Sequence, residues 1–296
     1  RMEVASALYS SLTTFEINHE NYTEVLSSYQ YKFSLPFEDF DSTREVTWFL
    51  QNYWQHTITL SVVYYLLIKC IQWAMLDRPP FVLRRPLIAW NLSLALFSAM
   101  GFVRFGEDFF ESLAYRGLYT TFCTMPATKG VAPFWCFLFF VSKFVEMGDT
   151  LFIVLRKKPL IFLHYYHHIV VFIYTAHAGA EHATPGRAFI LMNYAAHSLM
   201  YSYYSARAMG YHPPEWVSVM ITVWQTIQMV VGMGISVWTY YVKTQLGWRC
   251  QQSLPNLYLG FLIYFTFAFL FIQFFVNRYI REQRKEKKAK ETKKEE

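Results

Sequence analysis

From Gln55 onward the chain alternates long apolar stretches with short polar ones. Seven windows, roughly 55–76, 87–105, 131–155, 160–178, 187–208, 215–241 and 257–280, are long enough to cross about 30 Å of hydrocarbon at about 1.5 Å per helical residue. A backbone in lipid must satisfy its own hydrogen bonds, so each window predicts a helix. The expected fold is all-α and integral to the membrane, with seven transmembrane helices. Residues 1–54 form a polar N-terminal segment, 55–280 the helical domain and 281–296 a basic tail. No internal repeat is visible.

Composition agrees with the pattern. Of 296 residues, 54% are hydrophobic, 20% aromatic and only 16% charged. Soluble domains carry about 25% charged residues, so a disordered chain, a nucleic-acid binder and most soluble enzymes are excluded. The basic segments Arg78/Arg84/Arg85, Arg156–Lys158 and the Lys-rich tail fall on one side of a seven-span chain, which makes that side cytosolic and puts the N-terminus in the lumen. Residues 1–50 lack the apolar core of a signal peptide, so the first span is expected to target the chain. Asn21-Tyr22-Thr23 is a glycosylation sequon on the luminal side. Lys293 and Lys294, followed by two glutamates, resemble the dilysine retrieval signal of endoplasmic-reticulum membrane proteins, the bland alternative being a solvated Lys/Glu tail. Cys70 and Cys136 fall inside spans. Cys123 and Cys250 fall in luminal loops, where an oxidising compartment permits a bridge, two free thiols being the alternative.

Ionisable groups inside a bilayer cost several kcal/mol and imply function. The third window carries Lys143, Glu146, Asp149 and Thr150, the fourth opens with His164, His167 and His168 on one helical face, the fifth holds Asn193, His197, Tyr201 and Tyr204, and the sixth Gln225 and Gln228. A Lys–carboxylate pair that only locks helices together would leave the third charge of the first stripe unexplained. Four consecutive stripes facing inward describe a chamber, with the later six helices ringed around it. The histidines suggest metal binding or acyl and proton transfer. Only four of the nine histidines belong to the stripes, too few for a di-iron oxidase, so no metal and no other cofactor is expected.

In order, the stripes read KxxExxDT (Lys143 to Thr150), HxxHH (His164 to His168), NxxxHxxMYxYY (Asn193 to Tyr204) and TxxQxxQ (Thr222 to Gln228). This resembles the ELO family of very-long-chain fatty acid elongases, and Arg85-Pro86-Leu87-Ile88 with Leu160-Ile161-Phe162-Leu163 is most similar to animal members acting on saturated and monounsaturated chains of about sixteen carbons. The resemblance implies a 3-oxoacyl-CoA synthase of the endoplasmic reticulum that condenses acyl-CoA with malonyl-CoA, releasing CO2 and CoA. It also implies partnership with the ketoreductase, dehydratase and enoyl reductase of the elongation cycle, and leaves room for a homo-oligomer.

No cysteine lies on the stripes, so the acyl acceptor is either an imidazole or absent. His167 is expected to accept the acyl group and His168 and His197 to position substrate or move protons, with His164 one turn nearer the cytosol. Asp149 or Asn193 would fix a tautomer, and Lys143 and Gln225 would stabilise the enolate or thioester oxygen. Direct condensation, with histidines only as acid and base, is the competing mechanism. Arg84, Arg85, Arg156, Lys157 and Lys158 would meet CoA phosphates. A seven-helix receptor or transporter is the alternative of another class, but gives no reason for these stripes.

Overall fold

A computed structural model describes residues 2–15, 29–41, 45–125 and 128–281. Asn21, Lys293 and Lys294 lie outside these residues. The helices are α1 (Met2–Thr13), α2 (Glu45–Tyr53), α3 (His56–Ala74), α4 (Arg84–Glu111), α5 (Gly117–Cys123), α6 (Val131–Glu146), α7 (Asp149–Leu155), α8 (Phe162–Ala180), α9 (Gly186–Met209), α10 (Glu215–Thr244) and α11 (Leu254–Phe275). Among the described residues there is no strand, only one isolated antiparallel bridge between Asp41 and Lys129.

Among the described residues, four segments are long and apolar enough to cross a membrane: His56–Ala74, Arg84–Cys123, Glu215–Thr244 and Leu254–Ile280. They match the first, second, sixth and seventh windows. The second runs well beyond position 105, because its later charges are paired: Arg104 with Glu38 and Glu107, Asp108 with Arg187, and Glu111 with Arg116. The helix passes through a wider π turn at Ser112–Arg116 into α5, so Cys123 ends a helix rather than lying in a loop. The third window is not one helix. It tightens at Met147 and Gly148 through bonds to Phe144 and Val145, separating α6 from α7. A Cβ at Gly148 would lie 2.8 Å from the Trp90 ring, so α4 can approach here only because the residue is glycine.

α4 packs along α9, and α10 along α11. The largest core cluster joins Phe105 and Phe109 of α4, Trp135 and Phe139 of α6, and Leu191 and Tyr194 of α9. At one end, Arg84 donates to the carbonyls of Ala208 and Met209 at 2.9 and 2.7 Å, and α9 stops at Gly210, whose φ of 100° favours glycine. Lys157 donates to Leu76 O at 2.9 Å, and Phe81 N bonds Leu155 O. We call this the basic end.

At the other end Cys123 is bonded to Cys250, Gln251 N donates to Cys123 O, and Lys243 donates to the carbonyls of Cys250 and Gln252. Ser253 caps α11 by accepting from Asn256 N at 3.3 Å, with Pro255 in the first turn. At this disulfide end the polar N-terminal segment is strapped down. Glu38, fully buried, accepts from Arg104 Nη2 at 2.6 Å, Arg104 Nε at 3.0 Å, Trp135 Nε1 at 2.8 Å and Leu35 N at 2.9 Å. Arg104 thereby holds the Glu38 carboxyl at about 2, well below its ordinary value.

Candidate active site

A cavity of about 190 Å³ opens between the helices. Its wall takes residues from α4, α6, α8, α9, α10 and α11, and from the short α2, which precedes the first long span. The lining is mainly apolar. Of the expected site residues, His167, Asn193 and Gln228 are in it.

The structure sorts the polar stripes into three groups. In the first, Lys143 Nζ donates to Glu146 Oε1 and Oε2 at 2.7 and 2.9 Å and to Asn193 Oδ1 at 2.8 Å. Those acceptors use all three protons of an ammonium buried to 3% exposure, as a charge so deep in an apolar core requires. Glu146 Oε1 also accepts from Ser142 at 3.2 Å and lies 3.3 Å from His197 Nδ1, without the alignment of a hydrogen bond. Asn193 Nδ2 is 3.3 Å from His197 Nε2. Asn193 thus touches both the ion pair and the cavity.

The second group is built on Asp149, whose oxygens accept from Trp90 Nε1 at 2.5 Å and the Tyr201 hydroxyl at 2.6 Å. The third is a chain across three helices. Tyr64 of α3 shares a hydrogen bond with the Thr150 hydroxyl at 2.5 Å, and Thr150 Oγ1 lies 3.0 Å from His164 Nε2. A threonine hydroxyl has one proton, so if Tyr64 donates to it, Thr150 is left to donate to the imidazole.

The three box histidines therefore differ. His164 is tied to Thr150, and His168, 8% exposed, lies beside it with ring centroids 4.5 Å apart and the rings tilted by 57°. His167 faces the cavity, its ring 5.0 Å from that of Phe267 and 5.6 Å from that of His168. Among the described residues its ring nitrogens have no hydrogen-bond partner.

Other expectations fare differently. Lys143 and Gln225 are not in the cavity wall; Gln225 Nε2 donates instead to Met200 Sδ at 3.3 Å. Tyr204 is 50% exposed, because three residues past the buried Tyr201 the helix face has turned outward. Asp149 holds a tyrosine and a tryptophan rather than an imidazole. Arg84 and Lys157 are spent on backbone carbonyls, whereas Arg85 and Lys158 are exposed and Arg156 is half-buried. Among the described residues no group of three or more His, Cys, Asp or Glu could hold a metal ion. Tyr64 and Trp90 were missed, since a lone aromatic on an apolar helix gives no pattern. Arg187, Asp108, Thr47 and Leu50, all in the wall, lie outside the motifs.

Helices long enough to span a bilayer, packed around a buried ion pair and a mainly apolar cavity, define a multi-pass helical membrane protein. Residues 49–287 match the ELO family, described as the GNS1/SUR4 family, and the chain belongs to it. It is 51% identical to putative fatty acid elongase 4 of Caenorhabditis elegans over 97% of this chain and 99% of that protein. It is 41% identical to very long chain fatty acid elongase 6 of Drosophila melanogaster over 86% of this chain and 81% of the relative. Against human very long chain fatty acid elongase 6 the identity is 35%, covering 90% and 98% respectively.

Proposed function

We propose that this protein is a fatty acid elongase that condenses a long-chain acyl-CoA with malonyl-CoA through an acyl group carried on His167. The observation that carries this reading is the unpartnered imidazole of His167 in the wall of an apolar cavity, on a chain whose relatives are named elongases. A neutral imidazole attacks the thioester carbonyl, the C–S bond breaks, and CoA leaves with the proton from the imidazolium. Malonyl-CoA then loses CO2, the released electron pair forms the enolate, and its carbon attacks the acyl-imidazole carbonyl as the C–N bond breaks. Acyl-CoA, malonyl-CoA and one proton give 3-oxoacyl-CoA, CO2 and CoA.

The site residues support divided roles. The Gln228 amide is in the wall and has no hydrogen-bond partner among the described residues, so it suits the developing oxyanion better than Lys143 or Gln225. The Lys143–Glu146–Asn193–His197 cluster holds α6 and α9 in register behind His167. Arg85, Arg156 and Lys158 at the basic end suit CoA phosphates. The chamber excludes water, which would hydrolyse the acyl-imidazole.

This function sits in a seven-span topology, with α6 and α7 together making the third span and α8 and α9 the fourth and fifth, which bring His167 and Asn193 to the cavity. The basic end is cytosolic and the disulfide end luminal, in the endoplasmic reticulum. The remaining enzymes of the elongation cycle would consume the product.

The test is acyl-CoA alone, added to purified protein. One equivalent of CoA should appear, with the acyl mass on a peptide containing His167, and His167→Ala should abolish both while remaining folded. Normal condensation with no CoA released before malonyl-CoA is added refutes the covalent step. Absence of any malonyl-dependent CO2 release refutes condensation itself.

A further inference from the structure

The cavity wall includes Val46, Thr47 and Leu50, three residues of α2 in the polar N-terminal segment; Val46 and Thr47 precede the family match, which begins at residue 49, and Leu50 stands at its very start. Their presence is unexpected for a short helix preceding the first span. Leu50 is 7% exposed and packs with Trp54 against Ala176 and Ala180 of α8. A Cβ added at Gly179 would lie 3.2 Å from Leu50 Cδ1, so this side chain rests directly on the last turn of α8. Two side-chain bonds fix α2 there. Gln51 Nε2 donates to Ala180 O at 2.9 Å, and Thr47 Oγ1 is 3.0 Å from His182 Nε2.

Distance gives this contact a meaning. His167, Val171, Tyr174, Ala178 and Gly179 all face the cavity along α8. From His167 to Gly179 the helix rises about 18 Å at about 1.5 Å per residue. Carbon–carbon bonds of about 1.5 Å at near-tetrahedral angles advance about 1.25 Å each, so a straight chain starting at His167 reaches Leu50 after about fourteen bonds.

We propose that Leu50, flanked by Val46 and Thr47, is the stopper that sets the longest acyl chain this cavity accepts. The inference rests on the reading of the cavity as the acyl site. The stopper belongs to the N-terminal segment rather than to a membrane helix, so chain-length preference is carried by a part of the chain that bears none of the catalytic motifs. Leu50→Ala removes about 2.5 Å of side chain, room for about two more carbons. Leu50→Phe and Gly179→Ala push the other way, the second without deleting any core atom.

The experiment uses the full chain in lipid nanodiscs with saturated acyl-CoAs differing by two carbons, read in two ways. Products formed with malonyl-CoA report the reaction. Protection from thermal unfolding by the matching acyl-CoA thioethers, which cannot transfer an acyl group, reports fit alone. Leu50→Ala should move both optima about two carbons longer, and Leu50→Phe or Gly179→Ala should move them shorter, while exposed Leu66→Ala leaves them in place. If the thioether optimum moves but wild-type protein forms no malonyl-dependent product, the stopper stands and condensation falls. If the optima stay unchanged in all three variants, or wild type is protected equally by every length, the stopper is refuted.

Discussion

Replacing Glu38 with glutamine tests how firmly the N-terminal strap is held. The carboxylate accepts four hydrogen bonds from Arg104, Trp135 and Leu35 and is fully buried. Glutamine keeps one oxygen, enough for Trp135 and one guanidinium contact, but turns its NH2 toward two donors, Arg104 Nη2 and Leu35 N. Two charge-assisted bonds are lost and a guanidinium loses its main counter-charge, a cost of about 3–5 kcal/mol. The depressed acidity gives an independent figure. A carboxyl at about 2 rather than 4.5 is worth about 3 kcal/mol at neutral pH.

The sign follows from the direction of the shift. The folded value is below the unfolded one, so this stability is complete above about 4.5 and is lost as pH falls through about 2. Thermal unfolding followed by tryptophan fluorescence should therefore show Glu38→Gln melting about 5–10 °C below wild type at pH 7, with the gap closing as the pH approaches 2. Equal melting temperatures at pH 7, or a gap that persists unchanged in acid, would refute the assignment of that stability to this carboxylate.

Separating Cys123 from Cys250 by serine substitution opens a loop of 127 residues and should cost about 4–5 kcal/mol, read as earlier unfolding in detergent; no change would mean the backbone bonds around Gln251 suffice. Lys143→Met leaves Glu146 charged and unpaired and should destabilise by about 3–5 kcal/mol, whereas Lys143→Met with Glu146→Gln should recover most of it; a double variant no better than the single one argues against the pair. Tyr64→Phe removes the hydroxyl behind Thr150 and His164, and should slow condensation several-fold with an altered pH–rate profile at unchanged melting temperature; a profile superimposable on wild type would leave Tyr64 a packing residue only.

Much of this was legible in the chain because hydropathy and period are local. The long apolar helices α3, α4, α10 and α11 begin within a few residues of their windows, and the polar stripes fall on neighbouring helices as their spacing implies. What eluded the sequence depends on contact. KxxExxDT reads as one stripe, yet the tightening at Gly148 rotates Asp149 and Thr150 away from Lys143 and Glu146 and gives them separate partners. HxxHH reads as one imidazole face, but only His167 reaches the cavity. Tyr204 fits the helical stripe of Tyr201 by spacing and still points outward, because the packed arc of α9 is narrower there. The extension of α4 past position 105 was hidden by charges whose partners lie far along the chain, at Glu38 and Arg187.

The length of α4 bears on where the cavity ends. Its 28 residues rise about 42 Å, but the hydrocarbon is only about 30 Å thick. With Arg84 at one boundary, the other falls about twenty residues on, at Arg104, whose guanidinium already binds the strap. Asp108, Met125 and Thr128, all in the cavity wall, then stand beyond the oily slab. With the slab placed in this way, the far end of the cavity would be a protein turret facing water, keeping water out by its own joinery rather than with help from lipid. The buried Glu38, the Cys123–Cys250 link and the α2 contacts act as its gaskets, and a bilayer made thicker or thinner would slide past this end without altering its depth.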